Sequence, residues 1–176
     1  NLANGEHNRD GRDDEVCAPL GPEGPCSDAA VVARRRRVRR ALLCSLLLAQ
    51  GTPMLLAGDE IGHSQDGNNN AWNQDNATGW LHWSTADADL LACVRDALAL
   101  RRREPALRHD RWFHGAPARS GERSLVWTTP AGHVMHHHDW HDGHQGAFAC
   151  RIDTAPEDDR PGSRHLLIAF NPDAHA

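Results

Sequence analysis

The densest concentration of chemistry-bearing side chains lies between Gly58 and Asn76. It opens as Gly58-Asp59-Glu60-Ile61-Gly62 and continues as Asp66-Gly67-Asn68-Asn69-Asn70-Ala71-Trp72-Asn73-Gln74-Asp75-Asn76. Carboxylates accept hydrogen bonds or move protons, and amides donate and accept at once. A second concentration is histidine: His133, His136, His137, His138, His141 and His144 fall within one short stretch. Imidazole is the commonest metal ligand. The spacing matches no standard zinc pattern, however, and no cysteine lies close in sequence. The turn Pro130-Ala131-Gly132 before the cluster and Gly143 and Gly146 after it read as an exposed loop. We assign no metal ligand and no cofactor. A third group is acidic: Glu6, Asp10, Asp13, Asp14 and Glu15. It fails as a calcium loop, because Arg12 and Asp14 stand where a ligand and a spacer belong.

These groups need elements to hold them. Residues 1–28 are polar and punctuated by Gly and Pro, which is loop chemistry. Ser27 or Asp28 suits a helix N-cap and Gly51 a stop. Between them Val31, Val38, Leu42, Leu46 and Ala49 recur at helical spacing, with Leu43 and Leu47 widening the stripe. Thr52-Pro53-Met54-Leu55-Leu56-Ala57 is short and apolar and ends at Gly58, so it reads as a buried strand. Helix, tight turn and buried strand make half of an α/β repeat. The acid-and-amide run then lies just beyond the strand's C-terminal end, where α/β barrels carry their chemistry. Trp80 and Trp83 follow it, and we assign both to the core. A second helix is expected from about Asp87 to Arg103, with Leu90, Leu91, Val94, Ala97 and Leu98 inward and Pro105 ending it. Beyond Arg108 the texture changes to strands at 125–128, 147–152 and 165–170, with a shorter one at 133–135. Strands without intervening helices suggest a small antiparallel sheet.

The chain has 176 residues, a net charge of −5 and 39% hydrophobic residues. A packed core is within reach, and binding nucleic acid through bulk positive charge is excluded. The run Arg34-Arg35-Arg36-Arg37-Val38-Arg39-Arg40 therefore reads as a solvated helix face rather than a nucleic-acid patch. No stretch is apolar for long enough to span a bilayer. Five scattered cysteines without a C-x-x-C pair fit reduced thiols in a cytoplasmic protein. The chain begins with Asn and both ends fall inside what read as ordered motifs, so we expect a piece of a longer protein.

The run from Gly51 to Trp83, GTPMLLAGDEIGHSQDGNNNAWNQDNATGWLHW, resembles the end of the catalytic barrel in bacterial glycogen debranching enzymes of the isoamylase type, within the α-amylase superfamily. The opening NLANGEHNRDG and the later GPEGPCSD resemble the loop after that barrel's seventh strand. WFHG and GHVMHHHDWHD resemble the start of the family's C-terminal sheet domain. Two features depart from the pattern: the stretch EVCAPLGPEGP and the three histidines before Asp139.

The resemblance implies α/β plus all-β architecture. Residues 1–107 would be the C-terminal part of a (β/α)8 TIM barrel, and residues 108–176 part of an antiparallel β-sandwich domain. It implies a retaining glycoside hydrolase that cuts α-1,6 branch linkages in glycogen or limit dextrin, without nucleic acid or membrane as partner. That reaction needs two carboxyl groups about 5 Å apart, one attacking and one protonating. By analogy these and a third carboxylate belong to strands four, five and seven, upstream of Asn1, so no catalytic residue is assigned here. Asp59 and Glu60 are neighbours that point different ways, whereas such a pair converges from separate strands. What this chain would supply is substrate binding. Amides and carboxylates meet sugar hydroxyls, and tryptophan meets the apolar ring faces. Asn68, Asn69, Asn70, Gln74 and Asp75 fit the polar role and Trp72 the stacking role. Asp59 and Glu60 would brace or line the groove, and Glu6, Asn8 and Asp10 would approach it from the preceding loop. The alternatives are a non-catalytic glucan-binding module and a metal-binding protein using the loop from His133 to His144.

Overall fold

The computed structural model describes residue 9 and residues 20–22, 24–66, 68, 70–72, 74–108, 112–113, 125–144, 146–153 and 165–172. They form two long helices, α1 (Ala29–Leu48) and α2 (Ala88–Arg103), and three strands, β1 (Leu125–Thr128), β2 (Phe148–Ile152) and β3 (Leu166–Phe170). Contacts divide the chain into two compact units. One comprises Asn1–Leu47 with Met54–Leu98, the other Leu48–Pro53 with Ala99–Ala176.

In the first unit each helix begins at an aspartate. Asp28 Oδ1 accepts hydrogen bonds from the amides of Ala30 at 2.8 Å and Val31 at 3.3 Å. Asp87 Oδ1 accepts one from Leu90 at 3.0 Å. Both satisfy amides that the first turn of a helix leaves without partners. Leu43 and Leu47 of α1 pack on Leu90, Val94 and Ala97 of α2, with Leu55 and Leu98 against them. The inward stripe of α1 is therefore displaced by one position from the expected one: Leu42 is 66% exposed. Periodicity locates an apolar sector of a helix, but the partner helix selects which edge of it is buried.

The arginine run of α1 is put to structural use. The Arg35 guanidinium donates to the carbonyls of Leu20 at 3.2 Å, Gly24 at 2.7 Å and Pro22, folding the preceding loop onto the helix. Arg39 pairs with Asp87 at 3.3 Å, and Arg40 approaches Asp89 at 3.9 Å.

Residues 52–57, expected as a buried strand, form no ladder with any described residue. Met54 is 88% and Leu56 65% exposed, while Leu55 packs against the helical core. The run has the period-two burial of a strand but not the neighbour whose hydrogen bonds would make it one. The described residues accordingly contain no barrel.

The second unit carries the antiparallel sheet β1-β2-β3, with Leu125 opposite Ile152 and Phe148 opposite Phe170. The strands lie within the segments expected from sequence, and 133–135 folds back on β1 through a bridge between Val134 and Thr128. Gly132 closes that turn with φ of 83° and its amide on the Thr129 carbonyl. Ala106, Leu107, Cys150 and Ile152 form the core, flanked by Trp127, Ile168 and Phe170 among others. Trp127, Trp140 and Phe148 meet with centroids 5.6–5.8 Å apart. Such edge-on and tilted contacts suit the ring quadrupole. Arg101, 8% exposed, donates to the carbonyls of Ala49 at 2.7 Å and Gly51 within the same unit. Burial first, then the Arg108 guanidinium, lowers the Arg101 pKa.

Candidate functional site

The segment after Ala57 is folded by short-range hydrogen bonds. Gly58 has φ of 102°, and a Cβ there would sit 2.7 Å from Leu81 Cδ2 and 2.8 Å from His63 Cβ. Only glycine combines that backbone with that space. Its amide donates to Glu60 Oε2 at 2.9 Å, and its carbonyl accepts from Ile61 and His63. Asp59–Ile61 thereby makes a single 3-10 turn, anchored by buried Ile61. The Ile61 carbonyl accepts the Asp87 amide at 3.0 Å, tying the turn to the start of α2.

Amide side chains then fold the loop. Asn68 Oδ1 accepts from the Asn70 amide at 2.8 Å, and Asn70 Oδ1 from the Trp72 amide at 3.2 Å. Asn76 Oδ1 accepts from the Thr78 amide at 2.9 Å, and Asn76 Nδ2 donates to Gln74 Oε1 at 2.9 Å. These are turns made by Asn side chains standing in for backbone groups. Trp80 Nε1 donates to Asp75 Oδ1 at 2.9 Å, closing the loop on itself. Gly79 allows that closure: a Cβ would lie 2.7 Å from the Gln74 carbonyl oxygen.

The result is an open cleft of about 760 Å³ within the first unit, a size typical of small-molecule sites. Asn70, Gln74 and Asp75 give it a polar side, together with Gln65. Trp72, Trp80 and Leu81 give it an apolar side, and His63 also reaches it. Four residues singled out from sequence, Asn70, Trp72, Gln74 and Asp75, thus meet at one surface. Asn68 does not: it is buried, and its side chain supports Asn70 from behind. Asp59 and Glu60 stand on the neighbouring 3-10 turn, outside the cleft's lining, with Glu60 bracing Gly58. Asn69, Glu6, Asn8 and Asp10 lie outside the described residues.

Trp80 was missed. Expected in the core, it is 52% exposed and lines the cleft; Trp83, also expected inside, is 59% exposed. The indole of Trp80 is held by its N–H on an exposed carboxylate, which keeps the ring at the surface. The signal available in the sequence was its setting in an Asn/Asp/Gly-rich loop, which offers little apolar surface to bury a ring.

The histidine loop is knitted differently. His136 and His138 stack with centroids 5.9 Å apart, and His137 lies 4.5 Å from His141. Asp139 accepts the His136 amide at 2.7 Å and lies 3.3 Å from His138 Nε2. Among the described residues no three His, Cys, Asp or Glu side chains are grouped so as to hold a metal ion. No described helix is long and apolar enough to cross a membrane.

No protein-family model matches the chain. The sequence is 50% identical over 143 residues to the glycogen debranching enzyme of Serratia proteamaculans, an alignment covering 81% of this chain and 21% of that protein. It is 46% identical over 145 residues to the glycogen debranching enzyme of Yersinia pestis, with 82% and 21% covered. It is 41% identical over 185 residues to the glycogen operon protein GlgX homolog of Mycobacterium tuberculosis, with 99% and 26% covered. The chain spans between about a fifth and about a quarter of the length of these curated relatives.

Proposed function

This chain belongs, over most of its length, to the bacterial glycogen debranching enzymes of the isoamylase type, and we propose that it forms part of the glucan groove of such an enzyme. The observation that carries the reading is the convergence of Asn70, Gln74 and Asp75 with Trp72 and Trp80 on one open cleft. A branched α-glucan presents hydroxyls around the edge of each ring and C–H groups on its faces. Amide and carboxylate side chains hydrogen-bond the edge. An exposed indole covers the face, and Trp72 is 85% exposed.

In this proposal the parent enzyme is an α-1,6-glucosidase acting with retention, and its acid and nucleophile lie on chain outside these 176 residues. No residue described here takes a catalytic role. The helix α1, the apolar run 52–57 and the helix α2 are the closing part of a (β/α)8 barrel within residues 1–107, and residues 108–176 begin the sheet domain. Supporting this, the run turns Leu55 toward helices and Met54 and Leu56 outward, as a barrel strand must to meet both a helical layer and a barrel interior. The enzyme would work in the cytoplasm on glycogen or limit dextrin.

The test is a chimera in which residues of this chain replace the matching 143-residue region of the Serratia proteamaculans enzyme. Debranching of glycogen is expected to persist. Trp72→Ala in the chimera is expected to lower kcat/KM by roughly tenfold or more, mainly through KM, equivalent to about 1.4 kcal/mol or more. Unchanged kinetics would remove the cleft from the groove. Release of maltooligosaccharides by the isolated 176-residue chain would overturn the placement of the catalytic carboxylates.

A further inference from the structure

Cys44 on α1 and Cys93 on α2 face one another within the first unit, their Sγ atoms 3.7 Å apart. Both are free and half-buried, so a small reagent can reach them. Their placement follows from the packing around them. Cys44 sits beside Leu43 and Cys93 beside Val94, and both apolar neighbours are buried in the α1–α2 core. The helices are thus registered by their leucines and valine, and the registration sets sulfur against sulfur. Bonded sulfurs lie about 2.0 Å apart, so rotation of the two thiol side chains must close a gap of about 1.7 Å.

We propose that Cys44 and Cys93 are a dithiol modification site, oxidised by a low-molecular-weight disulfide to an intramolecular bond that joins α1 to α2. One cysteine thiolate attacks a sulfur of the reagent disulfide, forming a mixed disulfide and expelling one reagent thiolate. The other cysteine, deprotonated, attacks the protein sulfur of that mixed disulfide and expels the second reagent thiolate. Two protein thiols are oxidised, one reagent disulfide is reduced to two thiols, and the two cysteine protons end on those thiols. The bond would span 49 residues of sequence that include the whole cleft loop, so it would fix the base on which that loop stands.

The experiment treats the native full chain with oxidised glutathione, blocks remaining thiols with iodoacetamide, and maps the products by mass spectrometry without reduction. No Lys or Arg lies between Arg40 and Arg95, so trypsin leaves both cysteines on one peptide; cleavage at Glu60 separates them. Expected are the loss of two of the five thiols, a cross-linked pair carrying Cys44 and Cys93, no retained glutathione on either, and full reversal by dithiothreitol. The proposal is overturned if glutathione stays on one of the two cysteines while the other is alkylated. It is equally overturned if cross-links form only between other cysteines, or if both thiols remain alkylatable under conditions that oxidise a reference dithiol.

Discussion

At the scale of single residues the cleft depends on positions with no freedom of identity. Gly58 occupies the left-handed region at φ of 102° with Leu81 and His63 against it. Gly58→Ala must both strain the backbone and displace two side chains, and is expected to cost about 2 kcal/mol or more. A fall in the urea midpoint with loss of Trp80's ordered environment, read by indole NMR, checks it; an unchanged midpoint would mean the turn is loose. The same scale holds most of what the sequence concealed. Asn70, Trp72, Gln74 and Asp75 were legible because residue chemistry alone nominates them. Asn68 looked identical to Asn70, yet one folds the loop from behind and the other lines the surface. Composition cannot separate them, since both side chains accept the backbone amide two residues on and only burial tells them apart. Trp80, expected in the core, instead has its N–H on an exposed carboxylate five residues earlier.

At the scale of elements the helices and strands were the most legible part. Caps at Asp28 and Asp87 and the breaker Pro105 are local signals, and the structure places α1 and α2 between them. The three strands lie within the segments 125–128, 147–152 and 165–170 expected from sequence. Residues 52–57 failed as a strand because pairing is not local: no apolar run can supply its own neighbour. Local caps also permit a local test. Asp28→Ala removes the acceptor for the amides of Ala30 and Val31 and is expected to destabilise the start of α1 by about 1 kcal/mol. Faster amide hydrogen exchange confined to the first turn of α1, with α2 unaffected, would show it. Uniform acceleration through both helices would instead point to loss of the α1–α2 core.

At the scale of the whole molecule, buried thiols set how stability responds to alkali. Burial raises Cys150 in the sheet core from 9.0 to about 11. Cys44 is raised to about 11 as well, by burial first and then by the Cys93 sulfur, against an opposing pull from Arg40. The folded chain therefore holds these protons more tightly than the unfolded chain does. The stabilisation is complete below pH 9 and is lost as pH rises from there through about 11. For Cys150 the loss is on the order of 2 kcal/mol, and for half-exposed Cys44 solvent screening makes it smaller. Urea midpoints measured on either side of that window should fall with pH, and Cys150→Ala should flatten part of the slope. A midpoint that holds steady across it would contradict the burial of the thiol.

The chain contains six tryptophans and no tyrosine, and the indoles divide by setting. Trp72, Trp80 and Trp83 of the first unit and Trp112 and Trp140 of the second face solvent, whereas Trp127 is half-buried in the sheet unit against Trp140 and Phe148. Ultraviolet emission from this protein therefore comes from one chromophore type in two environments. Iodide should extinguish the exposed indoles, those at the cleft among them, and leave the Trp127 fraction bright. A saccharide settling over Trp72 and Trp80 would announce itself as a loss of that quenching, with no label attached.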